Sequence, residues 1–236
     1  MMNRSFAGRT GKTRTVLLFL HLVLAAAIPV VCADDGSNEN WWGAGVEEAL
    51  GRSAGNRAEL LGFLQGVSRS QRAAAAFLVE NMPQRDLQGL KADYLRENLK
   101  LAFEAKAAAA WGGSLPQDVF FNDVLPYVNA NEVREAWRPK LRQKCLPLVK
   151  DCKSPGEAAH ELNRKIFKLF GVRYSTKRNR ADQAPAETIE TGLASCTGLS
   201  ILLVDACRSV GVPARLAGTP NWVNKSGNHT WVEVWD

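Results

Sequence analysis

The stretch Gly192-Leu193-Ala194-Ser195-Cys196-Thr197-Gly198-Leu199-Ser200, with the apolar run over residues 201–210 behind it, decides how the chain is read. Leu199, Leu202, Leu203, Ala206 and Val210 recur at helical spacing, so the run predicts a helix with one buried face. Ser195 stands where an N-cap belongs, and its hydroxyl can take a free N–H of the first turn. Gly211 and Pro213 follow as stop signals. Cys196 then falls in the first turn, where the helix dipole favours an anion and hence the nucleophilic thiolate. A small buried cysteine is the competing reading. It is the one adopted for Cys207, which has no helix terminus or Gly/Ser flank beside it.

A thiolate needs a base, and the chain has three histidines. His21 lies in an N-terminal apolar run. His160, in Glu157-Ala158-Ala159-His160-Glu161, reads as a solvated side chain. His229 opens His229-Thr230-Trp231-Val232-Glu233-Val234-Trp235, a strand with Val232 and Val234 on one face and Trp231, Glu233 and Trp235 on the other. By parity His229 belongs to the Trp/Glu face, and the root of a strand positions a general base rigidly.

These two motifs, in this order and 33 residues apart, resemble the transglutaminase-like superfamily over residues 154–236. The resemblance implies an α+β fold. In its papain-like core the Cys196 helix packs on an antiparallel sheet, here preceded by a mainly helical N-terminal region. It also implies thiol acyl transfer. Cys196 attacks an amide carbonyl, His229 relays the proton, and water or an amine resolves the thioester. The family's third residue normally sits on the next strand, about 15 residues past the histidine. This chain stops at Asp236. Asp236 is therefore the candidate for that role, and it serves only if the strand turns back at once. Glu233 reads as sheet support. The expectation is a truncated product with an exposed edge strand.

The family includes cysteine peptidases, cross-linking acyltransferases and peptide N-glycanases. A cysteine hydrolase acting on protein, peptide or cell-wall amides is the first reading here. A protein-glutamine cross-linker is the second, and a non-catalytic binding or scaffold domain is the third. The intact Cys196/His229 pair argues against the third, and the missing acid argues for it. No cofactor is expected.

Residues 1–15 carry Arg4, Arg9, Lys12 and Arg14 and no acid. Residues 16–31 are almost wholly apolar, and Val31-Cys32-Ala33 supplies small residues for cleavage. This predicts a signal peptide over residues 1–33, a helical region over 34–150 and a transglutaminase-like domain over 151–236, incomplete at its C-terminus. A lipid-bearing Cys32 is the weaker alternative, because Val31 precedes it. Cleavage lowers the basic count from 30 to 26 against 24 acids, a formal +2 in place of +6. The basic balance thus lies mostly in the leader and gives no reason to expect nucleic acid as a partner. No stable membrane span is expected once the leader is gone, and the location is secreted or periplasmic. Asn224-Lys225-Ser226 and Asn228-His229-Thr230 are both glycosylation tripeptides. A glycan on Asn228 would crowd the base, which points to bacterial-type export; the alternative is a eukaryotic secretory protein that uses these sites and is catalytically silent.

Further signals are local. Residues 69–81 and 85–111 read as helices, the second with Leu87, Leu90, Tyr94, Leu101 and Ala105 on one face. Residues 131–145 read as helical with a break at Pro139. The aromatic segment 115–128 suits either core or a groove wall. Ser154-Pro155-Gly156-Glu157 is a capping box that starts a helix with Ala159, Leu162, Ile166 and Leu169 inward. Lys177, Arg178 and Arg180 sit in a polar loop, either solvated or forming a rim for acidic substrate groups. Cys145 and Cys152 are either a small-loop disulfide or two free thiols. Their spacing, with no histidine cluster nearby, gives little support for a metal site.

Overall fold

In a computed structural model, residues 40–224 and 226–236 are described. The expected leader, and with it His21 and Cys32, lies outside the described residues. The chain runs through α1 (Ala44–Arg52), α2 (Arg57–Gln65), α3 (Arg72–Glu80), α4 (Gln84–Leu87), α5 (Ala92–Ala108), α6 (Gln117–Asp123), α7 (Trp137–Val149) and α8 (Pro155–Leu169). Then come β1 (Arg173–Tyr174), α9 (Pro185–Thr191), β2 (Leu193–Ala194), α10 (Cys196–Ser209), β3 (Ala214–Thr219) and β4 (His229–Val234). This is the expected α+β arrangement, with helices first and the antiparallel pair last.

Two apolar clusters organise the described residues. The first gathers α1 to α6 around Leu60, Phe63, Leu95, Leu99 and Phe120. Phe120 packs edge-on to Phe103, with centroids 5.0 Å apart, so that part of the 115–128 segment is core, while Asn122, Pro126, Tyr127 and Val128 also line a cleft against α3. The second cluster joins α7, α8, α10, β3 and β4. Trp111 and Trp137 tie the chain across: their indole N–H groups donate to Gly211 O (2.7 Å) and Tyr127 O (2.9 Å).

The 85–111 segment is not one helix. It breaks between Leu87 and Ala92 because a side chain from far upstream takes over the freed carbonyls. Asn56 Nδ2 donates to Leu87 O (3.0 Å) and Leu90 O (2.9 Å). Glu59 then accepts from Ala92 N (2.9 Å) and caps α5. After the break the inward stripe is Leu95, Leu99, Ala102 and Ala105, with Tyr94 and Leu101 only half-buried.

The 131–145 reading is also corrected. Residues 131–136 are non-helical because the Glu132 carboxylate accepts from Asn129 N (2.6 Å) and Ala130 N (2.7 Å). Pro139 lies in the first turn of α7, where its missing N–H has no intrahelical partner to lose, so it helps start the helix. α8 begins as expected: Ser154 Oγ accepts from Glu157 N (3.2 Å), while Glu157 reaches back to Lys153 N (2.7 Å). Its buried stripe is Pro155, Ala158, Leu162 and Ile166, and Leu169 is exposed. Cys145 and Cys152 are free thiols. Cys145 is buried in α7, where desolvation pushes it up to about 12.

α10 is the axis of the second cluster. It does not present one buried face, because Gly198 and every residue from Ser200 to Ser209 is buried. Its polar residues are met by a layer between the two clusters. Arg138, fully buried, donates to Asn98 Oδ1 (2.6 Å) and to the carbonyls of Val124 (2.6 Å), Leu125 (3.0 Å), Pro126 (3.0 Å) and Arg208 (3.2 Å). Arg208 in turn donates to Ala214 O (3.0 Å), Asp123 O (3.2 Å) and Val128 O (3.2 Å). Asp205 accepts from Asn129 Nδ2 (2.8 Å), and burial, partly offset by Arg208, pushes its carboxyl up to about 8.

Candidate active site

The chain reaches Cys196 along a fixed path. α9 ends at Gly192, whose φ of +67° is a left-handed conformation that suits glycine. β2 then lies parallel to β1, with Arg173 opposite Leu193 and Tyr174 opposite Ala194. Ser195 caps α10 by accepting from Gly198 N (3.0 Å), and its hydroxyl donates to Ala181 O of the preceding loop. Cys196 is the first helical residue and is half-buried. The amides of Cys196 and Thr197 head the helix, at the positive end of its dipole.

His229 arrives from the other side. β3 and β4 pair antiparallel from Ala214↔Val234 to Thr219↔His229. Along β4, His229, Trp231 and Glu233 are exposed, while Thr230, Val232 and Val234 are half-buried, as the parity predicts. Thr230 and Val232 pack toward α10. Two polar ties join the neighbours of the pair: Thr197 Oγ1 lies 3.0 Å from Thr230 Oγ1, and Ser200 Oγ donates to Thr230 O at 3.3 Å. The His229 ring stacks on Trp222 (5.7 Å between centroids, 24°) and leans on Trp231 (6.1 Å, 31°). Cys196 and His229 together line two clefts, of about 340 and 460 Å3. Among the described residues no hydrogen bond joins the thiol to the imidazole. Such contacts are often long until substrate arrives.

Asp236 is not brought to this site. Five strand steps of about 3.4 Å each separate His229 from Val234. Trp235 N then bonds Pro213 O (3.2 Å), and the Asp236 carboxylate accepts from Gly156 N (2.8 Å) in the first turn of α8. There it meets a helix N-terminus, which suits an anion. Glu233 pairs across the strands with Arg215 at 3.0 Å. His160 is exposed on α8. Sequence reasoning missed Asn163 and Phe167, which α8 contributes to one cleft. Their spacing shows only that they share a helix face, not that the face looks onto Cys196. It also missed the Thr197–Thr230 tie, whose two halves are 33 residues apart.

Residues 142–236 match the transglutaminase-like superfamily. This part of the chain, less than half of it, is similar to that superfamily. No curated protein and no solved structure matches the chain. The transglutaminase-like stretch opens inside α7 and contains both Cys196 and His229. The matched superfamily suggests cysteine-based acyl transfer or hydrolysis in general. Among the described residues no helix is long and apolar enough to cross a membrane.

Proposed function

We propose that the transglutaminase-like stretch is a cysteine amide hydrolase in which Cys196 is the nucleophile and His229 the general acid–base. The observation that carries this reading is that the thiol of the first residue of α10 and a strand-root imidazole line the same two clefts. His229 takes the thiol proton, and the thiolate bonds to the carbonyl carbon. The oxyanion is met by the amides at the head of α10. The C–N bond breaks, the imidazolium returns its proton to the leaving amine, and a thioester remains. Water, deprotonated by His229, then releases the acid and restores the thiol. The substrate is a protein or peptide, with cell-wall peptides among the candidates.

One observation favours a second, non-catalytic reading: among the described residues no carboxylate hydrogen-bonds His229. Assay of glutamine peptides with and without an added primary amine separates the classes. Hydrolysis releases ammonia at a rate the amine does not raise. A cross-linker incorporates the amine, and a scaffold gives neither product.

Export to the periplasm or outside is part of the same proposal. It is supported by the leader pattern of residues 1–33 and by Asn228, which lines the larger cleft where a glycan would fill it. The naturally produced protein should begin at Asp34 and carry no glycan on Asn228, as read by mass spectrometry.

A further inference from the structure

The two clefts that meet at Cys196 differ in chemistry. The smaller has an apolar wall of Phe167, Leu199, Leu203, Trp231 and Val232, with Asn163, Ser200 and Thr230 as its polar lining. The larger is bordered by Tyr174, Arg178 and Asn228. Three cations lie in the loop that frames it, and they are not equivalent. Arg180 is neutralised by Glu187, donating to its carboxylate through Nε (2.9 Å) and Nη2 (2.5 Å). Lys177 is exposed and does not border the cleft. Arg178 does border it. The side chain is half-buried, gives one hydrogen bond to Thr176 O (3.3 Å), and has no carboxylate partner among the described residues. A guanidinium carries five N–H donors in a fixed fork, so most of its capacity stays available. The loop is also fixed in place, because Ala181 O takes the Ser195 hydroxyl next to the nucleophile.

We infer that the substrate is an anionic amide whose carboxylate is received by Arg178 in the larger cleft, with an apolar group in the smaller one. The inference rests on Cys196 being the nucleophile. Arg178 is then a specificity-determining residue, and it favours peptides that carry a free acid close to the scissile bond.

Paired alkylation of the full chain tests this. Iodoacetate and iodoacetamide react identically: the thiolate forms an S–C bond as the C–I bond breaks and iodide leaves. They differ only in carboxylate against neutral amide. Peptide mapping isolates the rate at Cys196 from that at Cys152. The ratio of the iodoacetate to the iodoacetamide rate should fall about three- to tenfold in Arg178→Ala, the size of one unit charge acting at short range in a wet cleft. Added salt should lower the wild-type ratio toward the variant's. Arg178→Lys should keep most of it, and so should Lys177→Ala, which removes the same charge from the loop without bordering the cleft. Because each protein supplies its own iodoacetamide rate, a variant with altered thiol reactivity still gives a valid ratio. An unchanged ratio in Arg178→Ala overturns the inference and leaves the nucleophile standing. Failure of Cys196 to react with either reagent overturns the nucleophile and this inference with it.

Discussion

Replacing Cys196 with Ala should lower kcat/KM for amide hydrolysis by at least about 10^4-fold, because removing the nucleophile of such a unit abolishes covalent catalysis and leaves only binding and oxyanion stabilisation. The fold should survive. Cys196 is the first residue of α10 and only half-buried, and alanine is a strong helix former. The change in stability should stay below about 1 kcal/mol. His229→Ala should cost a similar factor, and the double variant should be little worse than either single one, since the two act together. Urea midpoints measured beside turnover separate lost chemistry from lost fold. Turnover that persists in Cys196→Ala would sink the assignment.

Arg138→Ala should destabilise the protein by about 3–5 kcal/mol, the cost of removing one member of a buried, hydrogen-bonded charge network. Four carbonyls and the Asn98 amide oxygen accept from this one guanidinium inside the polar layer. Truncation would take a buried donor from each of them, although Leu125 O would keep Asn98 Nδ2 and Arg208 O would keep Gly211 N. Arg138 also lies close enough to Asp205 for their charges to interact, so Asp205 would lose a compensating cation. Arg138→Lys should recover little, because an ammonium has three donors and no planar fork. Denaturant unfolding with an unchanged m-value and a lowered midpoint is the expected result. A loss below about 1 kcal/mol would contradict the role given to this residue.

What was legible in the sequence was local. The Ser195 cap, the Ser154-Pro155 start of α8 and the inward and outward alternation of β4 depend on residues a few positions apart, and all three are present. What failed depended on distant partners. The break before α5 is held by Asn56, more than thirty residues upstream of the carbonyls it satisfies. The all-round burial of α10 was hidden by Asp205, Arg208 and Ser209, which look like a solvent face until Asn129 and the carbonyls around them are in place. That Cys196 and His229 come to the same clefts was readable because the motifs are specific. Which residues fill the two clefts was not, because α8 and the 175–184 loop meet the site only in three dimensions.

The indole bond from Trp111 to Gly211 has a consequence for how this chain can be divided. The C-terminal end of α10 is held by residues that precede the family-like stretch: Trp111 donates to Gly211 O, Arg138 to Arg208 O, and a Cβ on Gly211 would come within 2.6 Å of Ala105 O. The boundary at residue 142 cuts through α7 and leaves Arg138 on the other side. The stretch that carries Cys196 and His229 is therefore not a portable cassette. Grafted elsewhere without α5 and the whole of α7, it would lose the scaffold that holds the far end of the helix that begins at Cys196.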